Sequence, residues 1–281
     1  MIPVASGTVW INGSLVDPTA ATVSVFDHGF TVGDGVFETL RTIGGRPFAV
    51  RRHLERLRRS AERLGIDVPL SDGPLRQVVD EVVAAAALPE ARLRITVTAG
   101  VGTAGSRRDG AEPTLVVVAG PLAPWAAEAT AVTVPWPRNE MSALAGVKTT
   151  SFAENVHALA EARKVDADEA ILPNTRGDLC EGTGTNVFVA TGGVLVTPPL
   201  MAGCLPGVTR ALVLDVVPEA DEDDVPMPRL ADATEVLLTS TTRDVQPLRL
   251  LDGRPLPGAE GPWAQRAAAA LADLQSREID P

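Results

Sequence analysis

Two hydrophobic periods meet at Val50. Upstream, residues 37–43, the pair Gly44-Gly45 and residues 47–50 read as a hairpin, an extended run folded back at a glycine turn. Downstream, Val50, Leu54, Leu57, Ala61 and Leu64 recur at spacings of four and three, the apolar stripe of an amphipathic helix. Strand and helix patterns in such close succession place the chain in the α/β class. Short strands at 8–13 and 22–26, a second helix at 75–87 and strands at 93–98 and 114–118 complete a small N-terminal α/β domain, residues 1–120. Pro121, Pro124, Pro135 and Pro137 punctuate the passage to a larger α/β domain, residues 121–281. There a helix from about 153 precedes hairpin-like strands at 169–172, 186–190 and 194–197. A helix near 207, a strand at 235–239 and a helix from about 262 follow.

A chain of 281 residues has length enough for one large or two ordinary domains with a real core. Its formal charge of −11 argues against nucleic acid or an anionic membrane as a general partner, so an anionic ligand needs a local basic site. Cys180 and Cys204 give no disulfide framework, and no metal site is expected. Residues 1–5 lack the charged and apolar regions of a secretion signal, and no apolar run reaches the length of a membrane span. A soluble, cytoplasmic protein is the expectation.

Among 25 basic side chains only Lys148 and Lys164 are lysines. Arginine can replace lysine for solvation or surface pairing, but a guanidinium does not deprotonate usefully and cannot form a Schiff base. Each remaining lysine is therefore a candidate for amine chemistry. Lys164 lies in the charged segment from Glu161 to Asp166, where a solvated side chain near a helix C-terminus is the simpler reading. Lys148 follows an apolar, turn-like stretch from Ala143 to Val147 and precedes Thr149, Thr150, Ser151 and Phe152, with no charge until Glu154. By itself that setting admits either a chance loop lysine or a reactive one. Gly100, Gly102 and Gly105 match G-x-G-x-x-G after a strand, but a dinucleotide fingerprint must open a helix, and the sequence from Ser106 to Pro113 continues as loop. These glycines are read instead as letting a substrate approach the backbone.

Other segments supply companions for Lys148. Glu181 sits in an apolar hairpin ahead of Gly182, Thr183, Gly184 and Thr185, small residues on which a flat ring could lie. The simpler reading of Glu181 is an ordinary edge-strand carboxylate. The run from Leu205 through Gly207, Val208, Thr209 and Arg210 opens a helix whose backbone N–H groups form an anion site. Thr239, Ser240, Thr241 and Thr242 end a strand with clustered hydroxyls, suited to a phosphate or to capping a turn. Arg56 flanks the apolar seam of the first helix, although Arg51, Arg52, Arg58 and Arg59 surround it as they would a solvated basic face. An amine, an acid for a pyridine nitrogen and a phosphate cup are together what a pyridoxal phosphate enzyme requires.

The ordered set of Asp27 to Glu38, His53-Leu54-Glu55-Arg56, Lys148, Asp168-Glu169-Ala170, Glu181-Gly182 with Asn186, Thr197-Pro198, Leu205 to Arg210 and Ser240-Thr241 resembles the class IV aminotransferase family. This fold-type IV group holds branched-chain aminotransferases, D-amino-acid aminotransferases and aminodeoxychorismate lyases, and the likeness runs from about Trp10 to Pro247. The resemblance implies pyridoxal 5'-phosphate as cofactor, Lys148 as the Schiff-base lysine, Glu181 as the pyridine-nitrogen partner and Arg56 as the phosphate arginine. The backbone of Val208 and Thr209 and the hydroxyls of Ser240 and Thr241 complete the implied phosphate cup. It also implies two α/β domains of the D-amino-acid aminotransferase-like fold with the cofactor between them, an amine or amino-acid substrate, and a homodimer whose partner borders the site.

Within the family, Thr39, two places after Phe37, is similar to the lyase pattern, in which a threonine there assists catalysis; branched-chain transaminases typically have glycine. The chain has no tyrosine, so none can pair with the cofactor O3′. Ala99 stands where D-amino-acid enzymes carry a carboxylate-trapping arginine, and Ala99 and Ala104 stand where better-known lyases carry arginines. Arg94 matches a basic position of lyases and branched-chain enzymes and, with Phe37 and Thr242, is a candidate substrate contact. The expectation is a 4-amino-4-deoxychorismate lyase in which Lys148 abstracts the proton and Thr39 assists the departing oxygen, giving 4-aminobenzoate and pyruvate. The alternatives are a transaminase for branched-chain or related amino acids, and a cofactor-free interaction protein using the basic helix around 51–59.

Overall fold

The computed structural model describes residues 7–103, 105–108, 110 and 112–281, so the expectations for residues 1–5 and Ala104 fall outside it. The chain separates into two compact units. One gathers the described residues of Met1–Ala123, Val147–Phe152 and Glu278–Pro281; the other gathers Pro124–Gly146 and Ala153–Arg277.

The first unit is a six-stranded sheet with helices on one face. Its elements are β1 (Thr8–Ile11), β2 (Ser14–Val16), α1 (His28–Thr31), β3 (Gly35–Ile43), β4 (Arg46–Pro47), α2 (Val50–Leu64), α3 (Asp72–Ala86), β5 (Ala91–Thr98) and β6 (Thr114–Pro121). The strands run antiparallel in the order β2-β1-β6-β5-β3-β4. Alternation along β3 and β5 sends Val36, Leu40, Leu93 and Ile95 into a core with Leu54 and Leu57 of α2 and Leu75, Val79 and Val82 of α3. A fully buried leucine in such a core contributes about 1.5–3 kcal/mol by transfer alone. The same alternation turns Phe37, Thr39, Arg94 and Thr96 to the opposite face, with Phe37 paired to Thr96 and Thr39 to Arg94.

Helix α2 stops at Gly65, whose φ of 62° suits glycine and whose N–H donates to Ala61 and Glu62 carbonyls. At its start Ala49 offers no side-chain cap. The carboxylate of Asp280 accepts from the N–H of Arg51 at 2.8 Å in its place. The strand expected at 22–26 does not form: Val23, Val25 and Phe26 are 50%, 65% and 55% exposed, with no partner strand to reward the alternation. The chain turns earlier, at Asn12 and Gly13, both with positive φ, and returns as β2.

Lys148, expected in the C-terminal domain, belongs to the first unit. The N–H of Phe37 donates to the carbonyl of Lys148 at 2.9 Å, and the N–H of Thr150 donates to Gly35 at 2.8 Å, so the segment runs along the beginning of β3.

The second unit holds β7 (Ala129–Thr133), α4 (Ala153–Arg163), β8 (Glu169–Pro173), β9 (Leu179–Gly182), β10 (Asn186–Thr191), β11 (Val194–Thr197), α5 (Val208–Val216), β12 (Ala220–Glu222), β13 (Glu235–Ser240), β14 (Asp244–Leu251), β15 (Arg254–Pro255) and α6 (Pro262–Arg277). Its sheet runs β12-β11-β10-β13-β14-β7-β8-β9, with β15 on β14. Ile171, Leu179, Val187, Val189, Val236, Leu238 and Leu248 fill its core. Strand β14 was not expected, because Pro247 lies inside it. It is tolerated there because pairing with β7 begins only at Leu248, so the missing N–H is not required on that side. Among the described residues no helix is long and apolar enough to cross a membrane.

Candidate active site

The outward face of β3 and β5 brings four of the sequence-predicted residues together. The Arg94 guanidinium carbon lies 3.8 Å from the Phe37 ring centre and the Lys148 Nζ lies 4.5 Å from it. Phe152 meets Phe37 edge-on at 5.6 Å. Thr39 is half-buried and directly opposite Arg94. Two cations held on one aromatic ring, next to a hydroxyl, form an anion-receptive surface with an amine in it.

Arg56 is not part of that face. It turns inward from α2 and is 4% exposed, whereas Arg51 and Arg59 around it are exposed. Its Nε and Nη2 donate to the two oxygens of Glu38, each at 2.7 Å, and Nδ1 of His53 lies 2.7 Å from Glu38 Oε2. Glu38 and His53 are wholly buried. Burial opposes the charge on Glu38, but the guanidinium of Arg56, with the bond from His53, holds the carboxyl far below the usual carboxylate range. Burial pushes His53 down, and the charges of Arg56 and Lys148 add to this despite the pull of Glu38. His53 is thus neutral near pH 7, with the Nδ1 proton facing Glu38. Glu38 was not assigned a role from the sequence, though a signal existed: it sits between Val36 and Leu40 on the core-facing positions of β3.

In the second unit Glu181 is held by two donors. Arg138 Nε lies 3.2 Å from its Oε1 and the N–H of Leu205 lies 2.9 Å from its Oε2. Arg138 also reaches Glu154, at 3.0 Å. Glu181 does lie on an edge strand, since β9 ends the sheet, and it carries these two bonds there. The flanking thiols are buried and free: burial and the charge of Glu181 push Cys204 up to about 12 and Cys180 higher still.

From Leu205 the chain passes into α5, whose first residue follows Gly207; no side chain caps that end. Asn186 Nδ2 donates to the Leu205 carbonyl at 2.8 Å, and a Cβ on Gly207 would come 1.9 Å from Asn186 Oδ1. Only glycine fits there, which leaves the N–H groups of buried Val208 and Thr209 at an uncapped positive helix end. Thr239 is paired in register with Asn186, and its buried hydroxyl has no hydrogen-bond partner among the described residues. Ser240 ends β13 and its Oγ accepts from the N–H of Arg243, while Thr241 and Thr242 are half-buried in the turn before β14. Glu169, fully buried, accepts from the N–H and hydroxyl of Thr183 and from the Thr185 hydroxyl, which fixes the turn after Glu181. The Gly100 loop opens no helix among the described residues; Gly102 is glycine because the His28 ring lies 2.6 Å from where its Cβ would stand.

The first unit thus holds an amine and a buried cation, and the second a doubly held carboxylate, an uncapped helix start and an orphaned hydroxyl; these residue types suit the chemistry of an aldehyde, a ring nitrogen and a phosphate. The model of the amino-transferase class IV family matches residues 35–251, and the chain belongs to that family. Its enzymes use pyridoxal phosphate. The chain is 37% identical over 254 residues to the Methanocaldococcus jannaschii protein named "Putative branched-chain-amino-acid aminotransferase", covering 88% of each. It is 31% identical to the D-alanine aminotransferase of Bacillus licheniformis, covering 94% of this chain and 95% of that one. The branched-chain aminotransferase structure from Thermoproteus uzoniensis superposes with a TM-score of 0.91 at 30% identity, covering 98% and 97% of the two chains. A Legionella pneumophila structure named "Putative 4-amino-4-deoxychorismate lyase" has a TM-score of 0.86 at 24% identity over 91% of this chain and 96% of that one, a likeness of fold alone.

Proposed function

We propose that the protein is an amino-acid transaminase of the branched-chain type or close to it, in place of the lyase expected from Thr39. The likeness to aminotransferases along nearly the whole chain carries this reading. Pyridoxal phosphate, when bound, supplies an aldehyde that condenses with an amine and a ring that takes up the electron pair left by a departing proton. Lys148 provides the condensing amine, and its Nζ moves the proton at the Cα of the amino acid. Glu181, oriented by Arg138 and the Leu205 N–H, holds the proton on the ring nitrogen. Arg56, the Val208 and Thr209 N–H groups and the Ser240 and Thr241 hydroxyls take the phosphate. Arg94 binds a substrate carboxylate over Phe37, with Thr39 opposite it on β3 and Thr242 as a further contact. In this reading a second copy of the chain, in the cytoplasm, covers the exposed Phe26, Phe30 and Val101.

The test is an assay panel on the holoenzyme. Leucine or valine with 2-oxoglutarate should yield glutamate, and Lys148→Ala should abolish this while Lys164→Ala leaves it intact. D-Alanine turning over faster than leucine would move the chain to the D-amino-acid branch. Formation of 4-aminobenzoate from aminodeoxychorismate without a keto acid, and no glutamate, would restore the lyase.

A further inference from the structure

Glu38 and His53 have no role of their own in the proposed reaction, yet both are wholly buried behind Arg56. We infer that Glu38 and His53 are positioning residues that fix Arg56 as an anion ligand; the inference rests on Arg56 holding the cofactor phosphate. An arginine on a helix samples many rotamers, and ordering it when a ligand arrives costs affinity. Here Glu38 takes the Nε–Nη2 edge of the guanidinium in a two-pronged bond, which fixes the plane of the group as well as its position. His53 in turn donates to Glu38 Oε2, so the carboxylate cannot swing away with the arginine. The ion pair also lets the protein keep a buried cation before any ligand arrives, a charge that would otherwise be expensive to desolvate.

The register explains how one strand serves two purposes. Phe37 and Thr39 face outward with Arg94, and Glu38 between them faces α2, so the outward residues and the Arg56 anchor sit on consecutive residues of β3. A shift of one place in register would exchange them.

The experiment titrates apoprotein with pyridoxal phosphate and, separately, with pyridoxal, which lacks the phosphate, reading absorbance and tryptophan fluorescence. Arg56→Ala and Glu38→Gln should each weaken pyridoxal phosphate binding roughly 10- to 100-fold, the scale of one charge-assisted bond, and leave pyridoxal binding within about twofold of wild type. The double variant should bind no more weakly than Arg56→Ala alone. His53→Asn, which keeps a donor near Nδ1, should stay near wild type, and His53→Ala should weaken pyridoxal phosphate only. A folded Glu38→Gln protein with wild-type affinity, or one that loses both ligands equally, overturns the inference. If Glu38→Gln does not fold, wild-type pyridoxal phosphate affinity in His53→Ala overturns it instead. Wild-type affinity in Arg56→Ala would remove Arg56 from the phosphate and take the inference with it, which distinguishes that failure from a failure of Glu38 alone.

Discussion

Among the arginine–carboxylate pairs of the two units, Arg56–Glu38 in the first and Arg138–Glu181 in the second have sharply different settings. Arg56 and Glu38 are 4% and 0% exposed at the side chain and meet through two bonds of 2.7 Å. Arg138 and Glu181 are 18% and 13% exposed, meet through one of 3.2 Å, and each has a further partner, Glu154 and the Leu205 N–H respectively. The first pair is closed to solvent, so its geometry is fixed by packing. The second is open to solvent, and its arginine–carboxylate bond is longer. A group that must orient a ligand gains from the first design; a group that must itself bond a ring nitrogen gains from the second.

The largest effect expected from this contrast is on stability. Glu38→Ala leaves the Arg56 charge buried without compensation and should cost about 3–5 kcal/mol, measured by urea unfolding of the apoprotein. Arg138→Ala removes a partly solvated pair and should cost no more than about 1 kcal/mol. Equal losses would break the distinction between closed and open pairs.

A smaller effect, and on rate instead of stability, belongs to the open pair. Glu181→Gln keeps the shape and one acceptor oxygen but removes the negative charge proposed to hold the ring proton. It should slow Cα–H cleavage by roughly 10²-fold, the scale of a positioned proton-transfer group, with little change in cofactor affinity or unfolding. Stopped-flow traces with α-deuterated leucine would read this step directly. A Glu181→Gln protein that binds cofactor poorly but reacts normally would make Glu181 a packing residue and erase the functional half of the comparison.

The sequence displayed these two pairs unequally. Lys148 stands out because lysine is scarce, whereas Glu181 reads by itself as an ordinary edge-strand carboxylate and gains its role from the family resemblance. Arg56 was half-hidden: four neighbouring arginines made it look solvated, although the helical stripe through Leu54 and Leu57 puts position 56 beside the core. Glu38 was readable from the period-two pattern alone, since a carboxylate between Val36 and Leu40 on one face demands a partner. The Arg138 bond to Glu181 was not, because it joins residues 43 positions apart through loops without periodicity. Fold elements failed in the same way. Asn12-Gly13 carried a hairpin signal passed over for the alternation at 22–26, and β14 was obscured by a proline whose tolerance depends on where its neighbour begins to pair.

The smallest effect is the most specific to the closed pair. Burial pushes the folded His53 below its ordinary value of 6.5, so between those two values the unfolded chain binds a proton that the folded one refuses. Stability should therefore fall as pH drops below about 6.5. Glu38 is also depressed, from an ordinary 4.5, so its contribution is intact above that value and is lost only at lower pH, as the folded carboxyl titrates. Two separate acid phases follow, and His53→Asn should erase the upper one while leaving the lower, because Asn keeps the bond to Glu38 without a titrating ring. Glu181→Gln should change neither. Urea midpoints collected from neutral pH down to about pH 3 decide it. If the upper phase survives in His53→Asn, the protonation responsible lies elsewhere, and the closed pair is not closed to protons in the way its burial and its charged neighbours require.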